Sequence, residues 1–149
     1  MDHVAIMKKS WGMIPKILSG EKTIESRWYQ TKRAPWDTAF SGDTIFFKDS
    51  GGLVTAQAII SKVMQLNIGD VADIQKILKK YNKKICLPDA DPKTWNTMPR
   101  YCILLWLTDP KPIAKPFSID KTGFGAPAAW ITVKNIRKIK IDSPRQNNS

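Results

Sequence analysis

The fold is decided by a stretch of eleven residues, ILSGEKTIESR, that runs from Ile17 to Arg27. Before Gly20, apolar residues recur at helical spacing from position 11 to position 18. Glycine suits the left-handed conformation that commonly ends a helix. After it, residues 22–29 alternate as a strand does, which puts Glu25 and Arg27 on one face. The stretch therefore predicts a helix, a sharp turn and a strand that carries charged side chains.

These charged side chains suit a polar ligand. Lys22 stands at the entry of the strand, so a cation, a carboxylate and a guanidinium share one short element. The arginine fork can bind a phosphate or a base edge through two hydrogen bonds. The alternative is a surface salt bridge between Glu25 and Arg27, worth under about 1 kcal/mol. Glu21 and Glu25 are the only glutamates, so the placement of Glu25 needs an explanation.

The charge balance favours an anionic partner. The 149 residues contain 24 Lys and Arg and 13 Asp and Glu, a difference of 24 − 13 = +11. Such an excess attracts phosphates, although it can also serve solubility alone. No apolar run is long enough to span a membrane, and the N-terminus does not resemble a secretory signal. Cys86 and Cys102 lack the spacing of a metal site, and there is one histidine, so we expect no metal and a cytoplasmic protein.

The order of the elements predicts an α+β fold with a small, mostly antiparallel β-barrel. Periodicity leaves a closed barrel and an open sheet as alternatives. Residues 1–142 are expected to form a single domain, followed by a polar, disordered tail over 143–149. Strands are predicted over 3–9, 22–29, 43–48, 53–66, 101–107, 130–133 and 136–141, and helices after the N-cap Ser10 and over 70–82. The segments 87–99 and 110–116 are expected to be irregular connections.

Aromatic and basic residues around the charged strand extend the candidate ligand site, since bases stack on aromatic rings. Trp11 either lines the candidate ligand site or fills the core. The same alternatives apply to Trp28, for which the core is favoured. Trp36 lies in a basic loop and is expected to contact bases or to act as a lid. The remaining candidates are Ser10, Arg33, Lys48, which ends a strand expected to neighbour the charged strand, and Trp130, which is expected to close the other wall.

The spacing Gly20-x-Lys22-x-x-Glu25-x-Arg27 directly after the first helix resembles the ASCH family, a PUA-like group. Residues 42–45 and 130–133 are also compatible with that family's strands. The resemblance implies a PUA-like barrel with two or three flanking helices and a charged cleft beside the first helix. It further implies RNA or a nucleotide-like ligand such as a modified nucleoside. We expect no cofactor and favour a monomer.

The resemblance leaves two activities open. Some ASCH relatives deacetylate N4-acetylcytidine with the lysine of this pattern, a threonine three residues later and a downstream glutamate. Here Lys22 matches, but Glu25 replaces the threonine and no later glutamate exists. Other relatives are reported as ribonucleases, for which Lys22, Glu25 and Arg27 would stabilise charge, accept a proton and hold phosphate. A binding module is favoured over a hydrolase and over a protein-interaction domain.

Overall fold

The computed structural model describes residues 1–125 and 128–141 of the chain. Within them, three 3-10 helices cover Lys9–Trp11, Pro92–Thr94 and Ile136–Lys138. The predicted tail over 143–149 lies outside the described residues. The larger elements are β1 (Asp2–Met7), α1 (Met13–Ser19), β2 (Ile24–Tyr29), β3 (Thr44–Asp49), β4 (Val54–Asn67), α2 (Val71–Ile85), β5 (Tyr101–Ile119), β6 (Trp130–Val133) and β7 (Lys140–Ile141).

One curled sheet forms a half-barrel with the strand order β2-β5-β4-β3-β1-β6. Strand β1 pairs parallel with β3, and every other described pairing is antiparallel. Strand β7 adds to the far end of β5. The prediction of an α+β fold with a mostly antiparallel sheet and two flanking α-helices is confirmed. The strand order leaves β2 and β6 as the two ends of the curl, and both lie beside the candidate site.

The two α-helices cover opposite faces of the sheet. Helix α1 buries Ile14 and Ile17 against Ile103 and Leu105 of β5 on the inner face. Helix α2 joins a separate cluster on the outer face, where Ile74, Leu78 and Ile85 meet Ile24 of β2 and Leu104 of β5. Burying each such side chain contributes about 1.5–3 kcal/mol. Because Ile24 faces α2 and side chains alternate along a strand, Glu25 and Arg27 point toward the inner face.

Helix α2 is placed firmly at both ends. Asp70 accepts from the backbone N–H of Asp73, and the Asp73 side chain reaches back, which forms a capping box. The helix begins as predicted and continues to Ile85, three residues beyond the predicted end, before Cys86 turns left-handed with φ +61°. Its last turn reaches the entry of β2, where the Thr23 N–H donates to Lys84 O at 3.0 Å. The end of α2 therefore determines where β2 begins.

The predicted N-cap at Ser10 is wrong. Ser10 lies inside the 3-10 helix Lys9–Trp11, and α1 begins after Gly12, whose φ is +62°. The chain makes its left-handed turn at Gly12, so the two helical segments are separate. Ser10 is exposed to solvent.

Two predictions for the later strands are also wrong. Residues 110–116 are not irregular but continue β5, which tolerates its prolines because the register with β4 shifts near them. Residues 136–141 form a 3-10 turn and then the short β7 rather than one strand. In addition, β3 pairs with β1 and β4 and not with β2. The prediction that the strand of Lys48 lies beside β2 is therefore wrong.

Candidate functional site

The turn at Gly20 brings the charged residues to the inner face. Gly20 has φ +82°, and its N–H donates to Ile17 O at 3.1 Å. A side chain is disfavoured in this conformation by about 1–2 kcal/mol. The next residues fold back, so that the Lys22 N–H donates to Lys16 O at 3.0 Å. The predicted helix, glycine turn and strand are confirmed, and Lys22 enters the molecule instead of facing solvent.

Lys22 is a buried structural cation. Its side chain is 1% exposed, and Nζ donates to Ile24 O at 2.8 Å and to Ile85 O at 2.6 Å. Nζ also lies 3.7 Å from Glu25 Oε1. Burial lowers the pKa of Lys22, and the Glu25 carboxylate opposes that shift. The ammonium group thus joins β2 to the end of α2 and forms one side of an ion pair.

Glu25 lies between two cations. Its Oε1 accepts from the Ser26 N–H at 2.9 Å, and its Oε2 lies 3.8 Å from Arg27 Nη2. The salt bridge between Glu25 and Arg27 that was considered as the alternative is therefore present, but it is buried and does not lie on the surface. Within the described residues, Glu25 Oε2 has no hydrogen-bond partner. A buried carboxylate oxygen without a hydrogen-bond partner is costly, and the two neighbouring cations offset part of that cost.

Arg27 spans the seam between the two ends of the sheet. Its Nη1 donates to Ala129 O at 3.1 Å, just before β6, and its Nη2 donates to Ile6 O at 3.3 Å in β1. The guanidinium carbon lies 5.2 Å from the centre of the Trp130 ring. In the described part of the chain, the buried Arg27 Nε has no acceptor. The side chain therefore holds β2 against β1 and β6 and keeps one donor unused.

A cleft runs outward from this ion-pair cluster. An inner cavity of about 190 Å³ is lined by Lys22, Glu25 and Arg27, together with Trp11. It shares Trp11 and Arg27 with an outer cavity of about 540 Å³, which Trp28 also lines. We call these two cavities together the cleft. Their size is that of a site for a small ligand.

One wall of the cleft was missed by the sequence reasoning. It is formed by the connection 87–99, in which Trp95 packs edge-on against Trp28 with ring centres 5.2 Å apart. Asp89 organises this connection, since its carboxylate accepts from Thr94 Oγ1 at 2.6 Å and its carbonyl accepts from Trp95 Nε1 at 3.1 Å. The only sequence signal was a tryptophan in a segment rich in proline and aspartate.

A second cavity of about 390 Å³, which we call the side cavity, adjoins the cleft. Arg33, Phe124 and Trp130 line it, and it shares Tyr29 and Ala129 with the outer cavity. The Arg33 guanidinium lies 4.3 Å from the centre of the Tyr29 ring, within range of a cation–π contact. The cleft and the side cavity are therefore neighbours. Together they are lined by seven of the predicted site residues: Trp11, Lys22, Glu25, Arg27, Trp28, Arg33 and Trp130.

Three predicted site residues lie elsewhere. Ser10 lines neither the cleft nor the side cavity. Trp36 packs against Tyr101 of β5 with ring centres 5.1 Å apart and adjoins the inner core, so it holds its loop against the sheet. Lys48 is 5% exposed and lies on β3, where it pairs with Val54 of β4, and burial lowers its pKa. Strand alternation puts it on the face opposite to Phe47, which belongs to the inner core.

A buried histidine supports Trp130. His3 is inaccessible to solvent, its Nε2 donates to Asp43 Oδ2 at 2.8 Å, and its Nδ1 accepts from Trp130 Nε1 at 3.2 Å. Thr132 Oγ1 lies 3.0 Å from the same Nδ1. Burial lowers the pKa of His3, against the raising effect of Asp43. The neutral ring therefore fixes the orientation of Trp130 beneath Arg27.

The His3 environment predicts a pH dependence of stability. The folded pKa lies below the ordinary 6.5, so the unfolded chain binds the proton first as the pH falls. We expect the free energy of unfolding to decrease from about pH 6.5 downward, by up to about 1.4 kcal/mol per pH unit. Urea unfolding between pH 7.5 and pH 5 measures it, with His3→Gln as the control that removes the slope. Equal slopes in both proteins would contradict the assignment.

Two further properties of the described residues bear on function. Across residues 1–125 and 128–141, no three or more His, Cys, Asp or Glu side chains gather as ligands for a metal ion. No helix of that same part of the chain has the length and apolar character needed to cross a membrane.

The fold was compared with known proteins. No family model and no curated protein matches the chain. Among solved structures, the ASCH domain from Zymomonas mobilis matches with a TM-score of 0.63 at 15% identity, covering 95% of this chain and 96% of that one. A serine-to-alanine variant of the same protein gives a TM-score of 0.65 at 16% identity, over 92% and 91% of the two chains. The chain therefore has the fold of ASCH domains, a small α+β PUA-like half-barrel.

Proposed function

We propose that this domain binds RNA or a nucleotide-like ligand in the cleft. The observation that carries the proposal is the composition of its walls. Trp11, Trp28 and Trp95 line the outer cavity of about 540 Å³, and the Glu25 and Arg27 ion pair lines the adjoining inner cavity. Nucleotides need such a combination, because their bases stack on aromatic rings and their edges and phosphates form charged or polar contacts.

The inner end offers complementary groups side by side. Glu25 Oε2 is an acceptor without a donor, and Arg27 Nε is a donor without an acceptor, within the described residues. A base edge that presents an amine next to a ring nitrogen matches this pair, and because both atoms are buried, binding would require a small shift of the two side chains. At the outer end, the exposed Lys8 is available for a phosphate, with its Nζ 5.4 Å from the centre of the Trp11 ring. The net charge of +11 supports the same type of partner.

The stacking role of Trp11 is directly testable. Replacement of Trp11 by alanine is expected to weaken binding of a labelled, random-sequence single-stranded RNA by about tenfold. Trp11 is 37% exposed and lines both parts of the cleft, so its removal should cost affinity without loss of the core. Fluorescence anisotropy at one fixed salt concentration gives the two dissociation constants.

Phe40→Ala is the matched control for Trp11→Ala. Phe40 is also an exposed aromatic residue, 60% accessible, and it lines neither the cleft nor the side cavity. Its removal should leave the RNA affinity within twofold. Equal losses in both variants would place RNA binding outside the cleft, and an unchanged affinity for Trp11→Ala would refute stacking on that ring.

Hydrolysis is the second candidate function, favoured by the unpartnered Glu25 Oε2 at the inner end of the cleft. That oxygen is a candidate general base. Two observations argue against hydrolysis. Lys22 Nζ already donates to two backbone carbonyls, and Glu25 stands where the deacetylases of the ASCH family have a threonine. Incubation with RNA and with N4-acetylcytidine is expected to yield no product. Product that disappears in Glu25→Gln would establish the hydrolase instead.

The two cysteines bear on the compartment. Cys86 and Cys102 are free thiols, and Cys102 is fully buried. Free thiols are typical of reducing compartments, which supports the proposal of a cytoplasmic location.

A further inference from the structure

We propose that the ligand is a single strand of at least two nucleotides, with one base in the cleft and the adjacent base in the side cavity. This inference rests on the proposed function and extends it, because it names the length of the ligand and assigns the side cavity to it. The observations that carry it are the shared boundary of the two cavities, their size and the chemistry of their walls.

The boundary between the cavities is short and well defined. Tyr29, the last residue of β2, and Ala129, just before β6, line both the outer part of the cleft and the side cavity. Arg27 donates to Ala129 O, so its guanidinium fixes one side of this boundary. The two spaces, about 540 and 390 Å³, each have the size of a site for one small ligand. A ligand that fills both must cross between Tyr29 and Ala129.

The side cavity has the chemistry of a second base site. Phe124 and Trp130 present aromatic surface, and the Trp130 ring is held in place by its hydrogen bond to His3. Arg33 is exposed and stacks on Tyr29 at the boundary, where a planar cation can contact both a base and the phosphate that follows it. Among the described residues that line the side cavity, none is acidic, so a phosphodiester would meet no like charge there.

Single strands fit this arrangement better than duplexes. Two cavities separated by one residue on each side require that adjacent bases leave their own stack and enter different spaces. Paired bases in a duplex cannot do so, whereas unpaired bases are commonly splayed onto aromatic side chains. The geometry therefore favours two unpaired, adjacent nucleotides over one isolated nucleoside and over double-stranded RNA.

The experiment is a competition series. A fluorescent random-sequence RNA 12-mer is displaced by an equimolar mixture of the four nucleoside 3′,5′-bisphosphates or by a 5′-phosphorylated random dinucleotide. The bisphosphates are at least as negatively charged as the dinucleotide, so charge alone does not favour the longer competitor. The dinucleotide is expected to compete about tenfold better with the unmodified protein, the scale of one added stacking contact.

Variants of Arg33 test the side cavity separately from the cleft. Arg33→Ala should remove most of the dinucleotide's advantage and leave inhibition by the bisphosphates unchanged, because Arg33 lines the side cavity but not the cleft. Arg33→Lys keeps the charge but loses the planar stack, so it should fall between the two proteins. Trp11→Ala should weaken binding of both competitors to the same extent, because Trp11 lines the cleft but not the side cavity.

The outcomes distinguish this inference from the proposed function. If the 12-mer binds but the bisphosphates and the dinucleotide compete equally, the two-base inference is wrong and the proposed function stands. The same holds if Arg33→Ala weakens both competitors to the same extent. If the 12-mer does not bind the unmodified protein at low salt, the proposed function is wrong and the inference falls with it.

Discussion

Replacement of Lys22 by methionine is expected to lower the free energy of unfolding by about 3–5 kcal/mol, the usual cost of removing one partner from a buried ion pair. Methionine keeps the length of the side chain, so the change removes the charge and the donors rather than the volume. Glu25 would lose one of its two cations, and Ile24 O and Ile85 O would lose the ammonium group that they share. Equilibrium unfolding in urea measures the difference.

Lys76→Met is the control for Lys22→Met. Lys76 is exposed in the middle of α2, and the same substitution there should change the free energy of unfolding by less than about 0.5 kcal/mol. A loss below about 1 kcal/mol for Lys22→Met would mean that solvent reaches the Lys22 ammonium group, contrary to its 1% exposure. Such a result would also remove Lys22 from the ion-pair cluster on which the cleft is built.

RNA affinity is expected to fall by roughly 20- to 50-fold when the salt concentration rises from 50 to 200 mM. This range corresponds to the release of counterions from about three or four phosphates of a single strand. Lys8 and Arg33 are exposed at the cleft and at the side cavity, and neighbouring cations such as Lys32 would supply the remaining contacts. The slope of the logarithm of the affinity against the logarithm of the salt concentration is the measured quantity.

Charge-removing variants show which cations contribute to this slope. Lys8→Ala should reduce it by about one contact, whereas Lys115→Ala, an exposed lysine toward the far end of β5, should leave it unchanged. An affinity that does not respond to salt would show that phosphates are not contacted. Equal effects of the two variants would show that the positive charge acts as a general field and not at the cleft.

Local patterns predicted the central part of the candidate site. The helix before Gly20, the left-handed turn and the alternation of β2 follow from spacing and from the steric freedom of glycine, so they need no knowledge of distant contacts. The shared face of Glu25 and Arg27 was predicted for this reason. The α+β class also followed, because the order of apolar runs is visible along the chain.

Contacts across long sequence separations could not be predicted. The bond from Lys22 to Ile85 joins residues 63 positions apart, and nothing local shows that this lysine is buried. Trp95 became a wall of the cleft because the fold carries its connection over β2. Lys48 was misplaced because strand order is set by pairing across the whole sheet, and the prolines of β5 were misread because a register shift accommodates them.

The way in which Arg27 closes the seam has a consequence for self-association. Strands β2 and β6 end the sheet, and an unpaired strand edge offers its backbone groups to a second chain. The Arg27 guanidinium occupies Ala129 O and Ile6 O beside that seam and puts a positive charge there. Two copies that approach edge to edge would bring these charges together and would have to displace both bonds. The residue that we assign to ligand recognition is therefore also expected to hinder edge-to-edge pairing of two copies.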